Sequence, residues 1–151
     1  MKVKFYYRYL HTIPEDCIPD GEQPAHSPDE CYYCRLMYAY DYPSFFGYKL
    51  YYYNYDYFLL RTVNNRVIEV VYHEIQYPGG GFDIVFEKPL PLPMLPRFLN
   101  VFLDVQGEID DEMMQNEEYA NNDRCGEAEI ILDLERKKFK IINMNVWKYH
   151  Y

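Results

Sequence analysis

A chain of 151 residues, 49% hydrophobic and 26% charged, is long enough for one domain that buries most of its surface, and too apolar to stay disordered. Its net charge of −9 argues against direct contact with nucleic acid, whose phosphates are met by clustered Lys and Arg. No apolar run reaches membrane-span length and MKVKFYYRYL is not a signal-peptide block, so a soluble, cytoplasmic protein is expected.

With 19 Tyr and 9 Phe the composition leans toward β-structure, because aromatic rings favour pleated, half-buried surfaces. Lys2 to Leu10 alternates, with Val3, Phe5, Tyr7 and Tyr9 on one face, and reads as a half-buried strand. His11 to Ala25, with Pro14, Pro19, Gly21 and Pro24, reads as a surface loop. Ser27-Pro28-Asp29-Glu30 is a helix start, with Ser27 as cap, Pro28 at the first helical position and Glu30 closing a capping box. The helix is expected to run to Tyr40, with Tyr33, Leu36, Met37 and Tyr40 as its buried stripe, and to end before Pro43.

Phe45 to Thr62 reads as one strand, in which Tyr51, Tyr53, Tyr55 and Tyr57 share a face opposite Leu50, Tyr52, Asn54 and Asp56. Asn64-Asn65 signals a hairpin turn into a return strand from Val67 to Tyr77, broken by Pro78-Gly79-Gly80-Gly81. Phe82 to Glu87 is a further strand. The prolines between Pro89 and Pro96 make an extended connector suited to a sheet edge. Phe98, Val101, Phe102 and Val105 then follow helical spacing, with a strand as rival; Gly107 is expected to interrupt, and Ile109 to Ala120 to form a short acidic helix with Met113 inward. Asn121 to Gly126 reads as a turn. Ile130, Leu132 and Leu134 lead through Glu135 to Lys138 into Phe139, Ile141, Ile142, Met144 and Val146, a hairpin. The resulting expectation is a single α+β domain over residues 1–151: a mostly antiparallel sheet of about six strands with two or three helices on one face.

The chemistry offered by these residues is sparse. Cys31-Tyr-Tyr-Cys34 has the spacing of a zinc knuckle, and Cys17, His26 and His11 lie within reach as further ligands. A second tight pair is missing, so the preferred reading is that Cys31 and Cys34 behave as small buried hydrophobes, with zinc held by Cys17, His26, Cys31 and Cys34 as the alternative and no other cofactor. A redox role is disfavoured by Asp29 and Glu30 beside the thiols. His73 on an apolar strand face reads as a core residue, Gly79 to Gly81 lacks the Lys-Ser/Thr of a phosphate loop, and no catalytic set is present.

The charge is distributed in one place. From Asp104 to Glu129 ten carboxylates face one cation, Arg124; outside that segment 14 Lys and Arg balance 14 Asp and Glu. The acids Asp104, Glu108, Asp110, Asp111 and Glu112 do not follow the order of a calcium loop, and a solvated acidic face is preferred. These five with Glu117 and Glu118, and with Tyr53 and Tyr55 as interface aromatics, are the expected partner-binding residues. The function expected is a non-enzymatic inhibitor, an immunity protein or a phage or plasmid anti-defence protein, that docks this acidic segment on a basic target such as a nuclease or toxin. The alternatives are a nucleotide-like small-ligand or enzymatic domain built on the Tyr-rich sheet with His73, and a virion or assembly component.

Overall fold

The computed structural model describes residues 1–9, 17, 25–27, 30–31, 34, 39–40, 42–74, 80–115 and 124–148. Seven strands, β1 (Lys2–Tyr9), β2 (Lys49–Tyr53), β3 (Asp56–Val63), β4 (Arg66–Glu74), β5 (Gly80–Pro91), β6 (Arg124–Asp133) and β7 (Lys138–Lys148), form a single antiparallel sheet in the order β2-β3-β4-β5-β1-β6-β7. One α-helix, α1 (Leu95–Met114), is described along its length, and Cys34 and Ala39 are helical as well; the sheet has one strand more than expected, and two or three helices are not shown.

The strand order dictates two crossovers. Because every neighbouring pair is antiparallel, β1 and β2 run in the same direction, as do β5 and β6. A connection between strands of the same sense must return along the whole sheet. The β5-to-β6 return is α1 and covers one face; the β1-to-β2 return carries Ala39, Tyr40 and Tyr48 onto the other.

Helix α1 buries Leu95, Phe98, Leu99, Val101, Phe102, Val105, Ile109 and Met113, a stripe at helical spacing. It packs on Val3, Phe5 and Tyr7 of β1, Phe58 and Leu60 of β3, Val70 of β4, Phe82 and Ile84 of β5 and Ala128 and Ile130 of β6. Contrary to expectation, Gly107 does not interrupt it. The residue is exposed and a Cβ there would meet nothing within 4 Å, so Gly107 costs only the backbone entropy of a helical glycine. Gly107→Ala is accordingly expected to raise stability by about 0.5–1 kcal/mol, read as a higher urea midpoint at an unchanged slope.

On the opposite face Ala39 and Tyr48 bury Leu59 and Val71, and the Tyr40 hydroxyl donates to the Val71 carbonyl at 3.3 Å. Arg61 braces this cover: its guanidinium lies 4.4 Å from the Tyr48 ring centre, donates to the Phe46 carbonyl at 3.2 Å and pairs with Glu69 at 3.8 Å. Burial raises the Tyr48 hydroxyl above its ordinary pKa, with Glu69 adding to the effect and Arg61 opposing it.

Several local expectations need correction. KLYYYNYDYFLL is two strands, since Asn54 (φ 51°) and Tyr55 (φ 69°) turn the chain and Tyr52 faces Tyr57 across the hairpin. The turn resets the alternation. Tyr51 and Tyr53 pack toward α1, and no continuous tyrosine face forms. Asn64 (φ 52°) and Asn65 (φ 61°) make the expected β3–β4 turn. A register shift between Val67 and Glu69 places Val67 and Val71 on opposite faces, so β4 has no single apolar face; the side chain of His73 lies outside the described residues. Strand β5 continues through Pro91, and beyond Phe86 it pairs with β4 alone, the edge environment the prolines call for.

Gly126 is in β6, not in a turn. It faces Tyr7, whose ring occupies the space where a Cβ would stand and whose hydroxyl reaches the Asn145 carbonyl of β7 at 3.4 Å. The tail hairpin forms as expected, and a bulge at Ile142 switches the inward residues from Phe139 and Ile141 to Met144 and Val146. Most of the predicted helix between Ser27 and Tyr40, including Tyr33, Leu36 and Met37, falls outside the described residues.

Candidate metal centre and acidic face

At Ser27 the chain turns: the amides of Glu30 and Cys31 both donate to the Ser27 carbonyl at 2.9 Å. That turn brings Cys31 and Cys34 to the same side, and the Cys34 amide points at the Cys31 sulfur, 3.5 Å away. Cys17 and His26 then close the set. Cys17 Sγ lies 3.8 Å from Cys31 Sγ and 3.7 Å from His26 Nδ1, and Cys34 Sγ lies 3.5 Å from the same nitrogen. All four donor atoms fall within 4.8 Å of one another.

These separations have a geometric meaning. Tetrahedral ligands with metal–sulfur bonds of about 2.3 Å and metal–nitrogen bonds of about 2.0–2.1 Å stand about 3.8 Å (S to S) and about 3.6 Å (S to N) apart. Three of the six edges, at 3.5, 3.7 and 3.8 Å, match those values, and the four residues could hold a metal ion. All four cysteines are thiols, and Cys125 on β6 is not part of the group. Burial, and then hydrogen bonds from Cys31 and Cys34, push the Cys17 thiol up to about 12; burial also raises Cys34. Crowded thiols hold their protons unless a cation compensates the thiolates, which a bound metal does. The structure thus adds what the spacing lacked: the two single ligands, Cys17 and His26, are brought to the knuckle by the fold, and Cys17 and Cys34 pack together as a small buried cluster beside Cys31.

The chain matches no protein-family model, curated protein or solved structure.

The acidic residues divide into three groups. Asp104, Glu108, Asp111 and Glu112 are exposed along the outer side of α1 and have no ion pair among the described residues. Asp110 is half-buried and acts, with the buried Arg124, on the Tyr7 hydroxyl, whose pKa is raised chiefly by burial. Glu127 and Glu129 project from the other face of the sheet, where Lys4 (3.9 Å) and Lys2 (3.6 Å) stand opposite them. Glu117 and Glu118 lie outside the described residues.

Of the two tyrosines expected at an interface, Tyr55 is 87% exposed at the β2–β3 turn. Tyr53 is half-buried, and its hydroxyl donates to Asn100 Oδ1 on α1, tying the edge hairpin to the helix. A feature without a signal in the sequence is the groove between α1 and β7, about 370 Å³, lined by Glu108, Glu112 and residues 139–144. No helix among the described residues is long and apolar enough to cross a membrane.

Proposed function

We propose that this is a non-enzymatic protein-binding domain that carries a structural zinc ion on Cys17, His26, Cys31 and Cys34 and presents the outer side of α1 to a basic protein. The observation that supports the docking reading is the row Asp104, Glu108, Asp111 and Glu112, exposed and without an ion pair among the described residues on a helix whose other side is locked into the core. Fixed like charges on a rigid element raise the encounter rate with a basic surface and cost nothing in reorganisation on binding. An inhibitor of a nuclease or toxin, in the manner of an immunity or anti-defence protein, is the role such a face would serve. Zinc suits the three sulfurs and one nitrogen, and a set with four protein ligands leaves no open position for catalysis. The small-ligand reading is weaker because Tyr51 and Tyr53 are spent on the core and on Asn100.

The test is affinity capture of partners with the intact chain and with Asp104→Asn/Glu108→Gln/Asp111→Asn/Glu112→Gln, followed by association kinetics with the captured protein. The neutralised chain is expected to associate at least ten times more slowly at low salt, and the difference to shrink as salt is added. Equal rates for both chains would refute the docking role.

A further inference from the structure

Strand β7 has β6 on one side and, among the described residues, no strand on the other. The backbone N–H and C=O groups of every second residue therefore point outward along its length, an arrangement that accepts an added strand. The surroundings of that edge are unequal in charge. On the α1 side stand Glu108 and Glu112, with Phe139, Ile141 and Met144 as an apolar floor. On the other side stand Lys138 and Lys140, which share the face of Ile131 and have no carboxylate partner among the described residues.

Resting on the reading of α1 as the docking face, we propose that the β7 edge binds an extended segment of a partner in which basic and acidic side chains alternate. An added strand sends successive side chains to opposite faces, so one parity meets the glutamates and the other meets the lysines. The spacing agrees. Asp104, Glu108 and Glu112 recur every fourth residue, a repeat of about 6 Å along a helix, and alternate side chains on a strand recur every 6.6 Å or so. The bulge at Ile142 and the two lysines, devices that turn away a uniformly apolar or basic strand, become selective features for this one.

The test uses the full chain and three acetylated ten-residue peptides: one alternating Lys and Glu, a block isomer of five Lys then five Glu, and the alternating peptide N-methylated at every second amide. The alternating peptide is expected to bind at least ten times more tightly than either control and to slow amide exchange between Phe139 and Met144. Glu108→Gln/Glu112→Gln and Lys140→Glu should each weaken it several-fold. Equal binding of the block isomer, or no exchange protection on β7, overturns the strand-addition proposal. Partner association that stays sensitive to the α1 carboxylates in that event leaves the docking role standing, and association that is insensitive removes both.

Discussion

Stripping the proposed zinc with a chelator is expected to lower the melting temperature of the chain by roughly 8–16 °C. An ion present at a thousand times its dissociation constant holds the folded state by about 4 kcal/mol, and each kcal/mol moves the midpoint of a domain this size by about 2–4 °C. Purified chain should carry one zinc by elemental analysis, and Cys34→Ser should lose most of it, because Cys34 is buried among the donors and a serine oxygen is a poor ligand for the ion. Cys125→Ser is the control, since that thiol lies outside the cluster and should keep full metal content. The loss should be local first. The β1-to-β2 crossover that carries the four candidate ligands also lays Ala39, Tyr40 and Tyr48 over Leu59 and Val71, so amide exchange in β3 and β4 should rise before the helix face opens. Melting that is the same with and without chelator, in chain free of zinc, would show that the group is three packed thiols and an imidazole and nothing more.

The second large effect is expected at Phe102. Its ring is the hub of the helix-side core: Phe5 lies against it at 6.2 Å between ring centres, Phe82 at 5.6 Å and Phe58 at 6.0 Å edge-on, and Tyr72 at 5.5 Å. Four rings from β1, β3, β4 and β5 therefore share one partner, and none can move into the space without leaving the others. Phe102→Ala should cost about 3–5 kcal/mol, at the upper end for a large-to-small core change because the cavity cannot collapse. Phe102→Leu, which retains most of the volume, should cost markedly less. Urea unfolding followed by far-ultraviolet circular dichroism reads both, and a loss below 1 kcal/mol for the alanine variant would show that the rings repack.

What the sequence disclosed was what is local and periodic. The alternation of β1, the Asn64-Asn65 turn, the i, i+3, i+4, i+7 spacing of α1 and the tail hairpin each express geometry within a few neighbouring residues. The errors came where a residue's usual habit was overridden. Tyr55 occupies a left-handed turn position that aromatics seldom take, which hid the β2–β3 hairpin. Gly107 and Gly126 look like breakers, yet one is an ordinary helical residue and the other makes room for the Tyr7 ring. The candidate metal site was legible only by half: Cys31 and Cys34 are a motif, whereas Cys17 and His26 are single residues that the fold brings within 4.8 Å of them. The acidic segment was visible as composition, but its division between the outer side of α1 and the lysine-facing side of β6 is set by pairing that no short window contains.

The position of β1 has a kinetic consequence. Val3 is paired on one side with Phe86 and on the other with Ile130, so the middle of the sheet is built from three segments far apart along the chain. Closing such long loops costs entropy before any contact is gained, and high contact order slows folding. The β2-to-β5 meander and the β6–β7 hairpin each join strands close in sequence, whereas both neighbours of β1, β5 and β6, lie far from it along the chain. Refolding should therefore be limited by insertion of this strand between two preformed halves, and substitutions at Val3 or Phe5 should slow refolding more than equally destabilising ones in β7.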